Sequence, residues 1–244
     1  MKIGLKKMPA ELYLIPVTLG DSPVENVIPA FPLEVLTKLE HFIVEDLRSA
    51  RRYLRKAGFR APFDNIQFYL LNEHSQDEEL QEMLNVLLEG HSAGILSEAG
   101  VPAVADPGTA LVEMAHTHGI KVIPLVGPSS ILMALMASGM NGQSFRFHGY
   151  LPIKNPQRGN RIRQIEKSAL ETGETQIFME TPYRNMNLLE ELVKVCREET
   201  LLCMAADISL DSEFIKTKAV REWKKELPNL HKRPAIFLLN RLRT

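Results

Sequence analysis

The sequence predicts an α/β protein of two α/β domains, the first on a mostly parallel sheet and the second on a mixed one. Three observations carry this. Five strand-like runs up to Val126 alternate with helical patterns, as in a doubly wound sheet. Beyond Gly127 strands outnumber the helices between them. The stretch Gly94 to Gly108 reads as a strand, a turn of small residues and a helix start. We place the domains at 1–126 and 127–244, two lobes of similar size with a cleft between them.

In chain order, Leu12 to Val17 is a short buried strand followed by a polar turn through Gly20 and Asp21. A short helix is expected over Val35 to Leu39 and a strand over His41 to Val44. Asp46 to Lys56 is helical and stops at Gly58, a suitable C-cap. Gln67 to Leu71 is apolar and strand-like, and Asp77 to Glu89 is an amphipathic helix closed by Gly90. Ala93 to Leu96 is the fourth strand. Asp106 suits an N-cap and Pro107 the first helical position of a helix reaching His118, and Ile120 to Val126 is the fifth strand. Ile131 to Ser138 is apolar almost all round, which predicts a helix buried between two layers. The second domain then has strands near Phe145–Leu151, Gln176–Met179, Leu201–Ala205, Phe214–Lys218 and Ala235–Leu239, two of them suited to a hairpin. Its helices are expected over Asn160–Glu171 and Pro182–Glu198.

A net charge of −1 gives no global field towards RNA, DNA or an anionic membrane, so a nucleic-acid role must rest on a local basic patch. The two cysteines, Cys196 and Cys203, form no metal spacing and no disulfide framework; buried thiols suit a reducing cytoplasm. The basic start, Met1 to Pro9, precedes no long apolar segment, which argues against a secretory signal, and no apolar run reaches membrane-span length.

No Gly-x-Gly-x-x-Gly, Walker lysine loop or Gly-x-Ser-x-Gly elbow occurs, which lowers dinucleotide oxidoreductase, phosphoryl-transfer and hydrolase readings. His116 and His118 do not share a helix face, so no metal is expected. His74 and His148 fall at strand ends, where a satisfied loop or core histidine is the ordinary reading. Glu45, Asp46, Glu73, Glu98, Asp106 and Glu180 also fall at strand ends, where α/β sheets bind ligands. Acids without a metal pattern suit a ligand bearing amines or hydroxyls, although helix capping explains some of them. Arg48, Arg51, Arg52 and Arg55 share one helix face, either solvated or set against phosphates. Lys154, Arg158, Arg161 and Arg163 form a second basic cluster. Arg184 sits in the first turn of its helix, against the dipole, which leaves a ligand role or a solvated side chain open.

Taken together, Ser97-Glu98-Ala99-Gly100-Val101-Pro102, Ala105-Asp106-Pro107-Gly108 and Gly127-Pro128-Ser129-Ser130 resemble successive motifs of the tetrapyrrole methylase superfamily. Within it the chain is most similar to the 16S rRNA (cytidine-2′-O)-methyltransferases, as a divergent member. Phe147-His148-Gly149-Tyr150-Leu151-Pro152, Glu180-Thr181-Pro182-Tyr183-Arg184, Glu45-Asp46 with Arg48, and Asn72-Glu73-His74 carry that likeness. The first turn, Thr18-Leu19-Gly20-Asp21, is shorter and less glycine-rich than the family's, and Leu47, Glu98, Tyr183 and Arg233-Pro234 also depart from its pattern.

The resemblance implies a class III S-adenosylmethionine methyltransferase fold, with the cofactor in the cleft between the domains of a homodimer. Pro16, Ser97, Glu98, Ala99, Gly100, Val101, Ala105, Asp106, Ser129, Ser130, Tyr150, Leu151, Met179 and Pro182 would line the cofactor. A ribose 2′-hydroxyl of small-subunit ribosomal RNA is the implied acceptor. It would need a proton acceptor, for which Glu45, Asp46, Glu73 and Glu180 stand as candidates. Arg48, Arg52, Arg55, Lys154, Arg158 and Arg184 would hold RNA. A small-molecule, tetrapyrrole-like acceptor and a non-catalytic relative that binds cofactor or RNA are the alternatives.

Overall fold

The structure, a computed structural model, describes residues 10–242. The basic segment Met1 to Pro9 lies outside the described residues. The chain divides into two compact units, residues 1–128 and 129–244.

The first unit is a five-stranded sheet in the order β3-β2-β4-β1-β5, parallel throughout. Its strands are β1 (Glu11–Ile15), β2 (His41–Val44), β3 (Gln67–Leu70), β4 (Ala93–Leu96) and β5 (Lys121–Pro124). Leu96 pairs with both Ile15 and Val44, so the carboxyl ends of the central strands meet at one edge. Side-chain alternation builds a core on each face. Phe42 and Val44 join Ile15, Leu54 and Phe59 on one side, and Ile43 joins Leu12, Leu84 and Leu111 on the other. Helices α1 (Ala30–Leu36) and α2 (Leu47–Lys56) cover the first side, and α3 (Asp77–Leu88) and α4 (Gly108–Thr117) the second.

Local chemistry sets the helix ends. The Ser49 amide donates to Asp46 Oδ1 at 2.8 Å, capping α2. Gln76 N donates to Glu79 Oε2 at 2.9 Å in the capping box of α3. At α4 the expected cap is displaced by one residue. Pro107 is the N-cap, and Asp106 Oδ1 accepts from Gly108 N from outside the helix. The first helix lies earlier than expected, at Ala30–Leu36, because Pro32 is tolerated in a first turn. Strand β5 ends at Pro124, two residues short of the expected limit.

The second unit contains α5 (Ser130–Ser138), β6 (Phe145–Tyr150), α6 (Gln157–Thr172), β7 (Thr175–Met179), α7 (Asn185–Val195), β8 (Leu201–Ala206), β9 (Phe214–Ala219), α8 (Val220–Trp223) and β10 (Ala235–Asn240). Its sheet runs β6-β7-β10-β8-β9, with β6 and β7 parallel and the other pairs antiparallel. Strands β8 and β9 form the expected hairpin. A short 3-10 turn, Pro182–Arg184, precedes α7, which ends at Val195 rather than Glu198. The Trp223 indole N–H donates to Leu202 O at 2.9 Å and anchors the unforeseen α8 under the sheet. The all-round burial expected of α5 does not hold. Ala134, Leu135 and Ser138 are buried against the sheet, whereas Leu132 is 49% and Met136 82% exposed.

Candidate cofactor and substrate site

In the first unit the sequence-predicted residues converge at the carboxyl edge of the sheet. The turn Ser97 to Gly100 leaves β4 there, and three ties hold it. Val17 N donates to Gly100 O at 2.8 Å, Glu98 N to Glu45 Oε1 at 3.1 Å, and Ser49 Oγ to Glu98 Oε1 at 2.5 Å. The turn is thereby fixed to the ends of β1 and β2 and to the first turn of α2. Gly100 sits at φ +79°, and a Cβ there would stand 3.2 Å from Leu19 and 3.3 Å from the Pro128 carbonyl. Pro16 is buried, and its carbonyl accepts from the Tyr53 hydroxyl at 2.9 Å. A Cβ on Gly127 would fall 2.2 Å from the Pro16 ring, so only glycine lets these two segments pass.

The loop from Val101 to Asp106 carries the strongest local strain of the unit. Ala103 and Ala105 lie at φ 61° and 60°, in the left-handed region that costs an alanine about 1–2 kcal/mol. Asp106 holds them there, Oδ1 accepting from Ala103 N and Gly108 N, both at 2.8 Å. Its other oxygen, Oδ2, is buried and takes no hydrogen bond. An unfilled buried acceptor costs about 1–3 kcal/mol, so this is a poor arrangement for folding alone. Burial pushes the Asp106 carboxyl above the usual range, against its two amide bonds.

The four candidate acids separate. Glu45 is half-buried, and burial raises its carboxyl above the ordinary range, opposed by the Glu98 amide and aided by the charges of Asp106 and Glu98. A hollow of about 30 Å³ lies between Glu45, Ser49 and Glu98, room for a water and little more. Asp46 is the α2 cap, and its bond from the Ser49 amide holds its carboxyl below the usual range. Glu73 stands exposed beside His74 at 3.5 Å. Glu180 is buried in the second unit. Its Oε1 accepts from Thr181 N at 2.7 Å and from Arg184 Nε and Nη2 at 3.0 and 2.6 Å. Arg184, one helical turn on, is therefore the partner of that carboxylate and not a solvated arginine.

The basic residues separate in the same way. Arg48 and Arg52 are exposed on α2. Arg55 is not available for a phosphate: it donates to Phe59 O and Ala61 O at 2.8 and 2.9 Å and lies 3.9 Å over the Phe63 ring. A groove of about 330 Å³ runs between α2 and the first turn, lined by Thr18 to Asp21, Ser49, Arg52, Tyr53, Lys56 and Glu98.

In the second unit Ser129 is the N-cap of α5 and Ser130 its first residue. Tyr150 is 58% exposed at the end of β6, but Leu151 is a core side chain that can offer only its backbone. Met179 and Pro182 flank the buried Glu180. Lys154 is exposed; Arg158 is half-buried with its Nε unpaired. Arg161 of the basic cluster donates to His148 Nδ1 at 3.0 Å, and His148 Nε2 donates to Gln176 Oε1 at 2.7 Å. Burial, with the nearby arginines, holds this imidazole below its ordinary pKa and so neutral at pH 7. Sequence spacing offered no sign of this chain, nor of the bond between Ser49 and Glu98.

The sequence pattern described as Tetrapyrrole (Corrin/Porphyrin) Methylases matches residues 32–222. The ribosomal RNA small subunit methyltransferase I of Vibrio cholerae is 31% identical over 232 residues, 94% of this chain and 76% of that protein. The same-named protein of Escherichia coli O157:H7 is 30% identical over 94% of this chain and 77% of its own length, and that of Thermotoga maritima 29% over 85% and 91%. Among solved structures, the methyltransferase CobJ superposes with a TM-score of 0.64 at 17% identity, covering 96% of this chain and 97% of its own. A Thermus thermophilus uroporphyrin-III C-methyltransferase, complexed with S-adenosyl homocysteine, gives 0.55 at 18% over 95% and 97%. These two likenesses establish the fold.

Proposed function

The chain belongs to the tetrapyrrole (corrin/porphyrin) methylase family, and from that premise we propose that it is an S-adenosylmethionine-dependent methyltransferase acting on a ribose 2′-hydroxyl of small-subunit ribosomal RNA. The carrying observation is the buried, unfilled Asp106 Oδ2 beneath a turn of small residues. An amine or hydroxyl donor satisfies that acceptor, and the cofactor offers both. Ala99 and Ala105 are small and exposed, which lets a flat adenosyl group lie against the chain. The names of the relatives support an RNA acceptor over a tetrapyrrole one.

S-adenosylmethionine, when bound, supplies an electrophilic methyl on a sulfonium. The chain's task is alignment, worth several kcal/mol when the reacting groups are held in register. The three ties on the Ser97 to Gly100 turn fix that part of the site before any ligand arrives. Glu45 fits the proton acceptor best. Its basicity is raised by burial, and it accepts one weak amide bond beside a water-sized hollow, so it takes the hydroxyl proton directly or through one water. Arg48, Arg52, Lys154 and Arg158 hold phosphates. The exposed Leu132 and Met136 of α5 support the homodimer, and two buried free thiols support a reducing cytoplasm.

The test uses calorimetric titration with S-adenosylmethionine and transfer of labelled methyl to under-methylated small ribosomal subunits. Binding with transfer to RNA is expected. Glu45→Gln should bind the cofactor and lower kcat on the order of 100-fold. Absence of cofactor binding by the native chain defeats the reading; binding without transfer to RNA defeats its acceptor.

A further inference from the structure

The groove beside α2 shares Ser49, Arg52 and Glu98 with the reading above, but the space itself, with Leu19, Tyr53 and Lys56, has no part in it. Its volume of about 330 Å³ lies at the small end of the range of about 300–1,000 Å³ typical of ligand sites. Leu19 and Tyr53 give it an apolar wall, and the Tyr53 hydroxyl is already committed to Pro16 O. Glu98 presents a carboxylate: Oε1 takes Ser49 Oγ, and Oε2 takes no hydrogen bond among the described residues. Arg52 and Lys56, one helical turn apart, set two cations on the α2 side. Arg52 makes no hydrogen bond among the described residues. Lys56 meets Asp21 at 2.5 Å, but the Asp21 side chain is fully exposed, so the pair exchanges for another anion at little cost.

We propose that this groove is a nucleotide subsite for single-stranded RNA: base against Leu19 and Tyr53, exocyclic amine on Glu98 Oε2, phosphate on Arg52 and Lys56. The inference rests on the RNA reading above and adds where a base is read and by what chemistry. A carboxylate accepts from an amine and repels a carbonyl, so the site prefers cytosine to uracil at the position it reads. The cations hold phosphate whatever the base. An unstacked base on an apolar wall is how single-stranded RNA is ordinarily held.

Protein-observed NMR titration of the full chain tests this without any methyl donor. The probes are cytidine 5′-monophosphate (CMP), uridine 5′-monophosphate (UMP), cytidine and pentacytidylate. CMP should shift the amides of residues 18–21 and 49–56 and bind about tenfold tighter than UMP or cytidine. Pentacytidylate should bind tighter still, and more weakly in high salt. Arg52→Ala should weaken CMP and UMP alike, about tenfold. Glu98→Gln, whose amide can donate to a uracil carbonyl, should bring the two affinities together. Leu19→Trp should fill the groove and abolish the shifts. Arg52→Ala loses no hydrogen bond within the chain and keeps the test open if Leu19→Trp fails to fold. Shifts outside the groove, equal wild-type affinity for CMP and UMP, or pentacytidylate no tighter than CMP would each overturn the subsite. Groove binding by a protein that transfers no methyl to subunits upholds the subsite and removes the function; methyl transfer with a silent groove does the reverse.

Discussion

The two units use their buried acids in opposite ways. In the second unit each such carboxylate engages two or more donors of its own chain through one oxygen, and its other oxygen is not a buried, empty acceptor. Glu166 Oε1 accepts from Arg197 N at 2.6 Å and Thr200 Oγ1 at 2.5 Å, closing the segment after α7. Asp207 Oδ2 accepts from Arg233 Nε at 2.8 Å and Ser212 Oγ at 2.9 Å, and Glu180 holds Arg184. In the first unit Asp106 leaves a buried oxygen unfilled, and Glu45 holds one amide at 3.1 Å. Burial therefore does not by itself mark an acid as functional. What distinguishes the first unit is a carboxylate oxygen, Asp106 Oδ2, that is itself buried and left empty by the fold.

Four substitutions can break or sharpen that contrast. Glu166→Ala should cost most, about 3 kcal/mol in urea unfolding, because it strands the buried Thr200 hydroxyl and the part-buried Arg197 amide and leaves a cavity. Arg184→Ala should cost about 2 kcal/mol by the same measure. It leaves Glu180 charged and buried, and the partial exposure of Arg184 keeps the figure below that of a sealed pair. Asp106→Asn should keep the Oδ1 bonds and the fold yet weaken S-adenosylmethionine about tenfold by calorimetry, roughly 1.4 kcal/mol. Equal loss of stability there would make Asp106 a structural acid like Glu166. The smallest effect concerns pH. The Glu45 carboxyl titrates higher in the folded chain than in the unfolded one. Its contribution to stability is thus complete below the unfolded value, about 4.3, and is lost as pH rises through the raised value. Urea unfolding across this range should find Glu45→Gln gaining on the native chain as pH rises, by no more than about 1 kcal/mol for a half-buried group. A flat difference would show that its environment does not disfavour the charge.

Much of the first unit was legible because parallel strands and their helices keep strict local periods. The alternation of Phe42, Ile43 and Val44 between two cores is a pattern of neighbours, and Gly58 and Gly90, at φ +91° and +90°, end helices where expected. The converging turn at 97–106 was legible for the same reason, since its glycine and small residues are punctuation. What escaped depends on distance or competition. Ser49 meets Glu98 across 49 residues of sequence. Arg55 shares the spacing of Arg48 and Arg52, but only the fold brings Phe63 beneath it. The i, i+4 spacing of Glu180 and Arg184 is a local sign of their pairing, and it competes with the unfavourable helix dipole at Arg184. The exposed side of α5 could not be read, because an apolar helix gives the same sequence whether a neighbour covers it or not.

Both sulfhydryls of the chain, Cys196 and Cys203, are buried in the second unit, where burial pushes the Cys203 thiol up to about 11 and Cys196 higher still. A thiol-specific alkylating reagent should thus react only when that unit opens. Its labelling rate becomes a clock for the opening of one half of the molecule, to which the cysteine-free half contributes nothing.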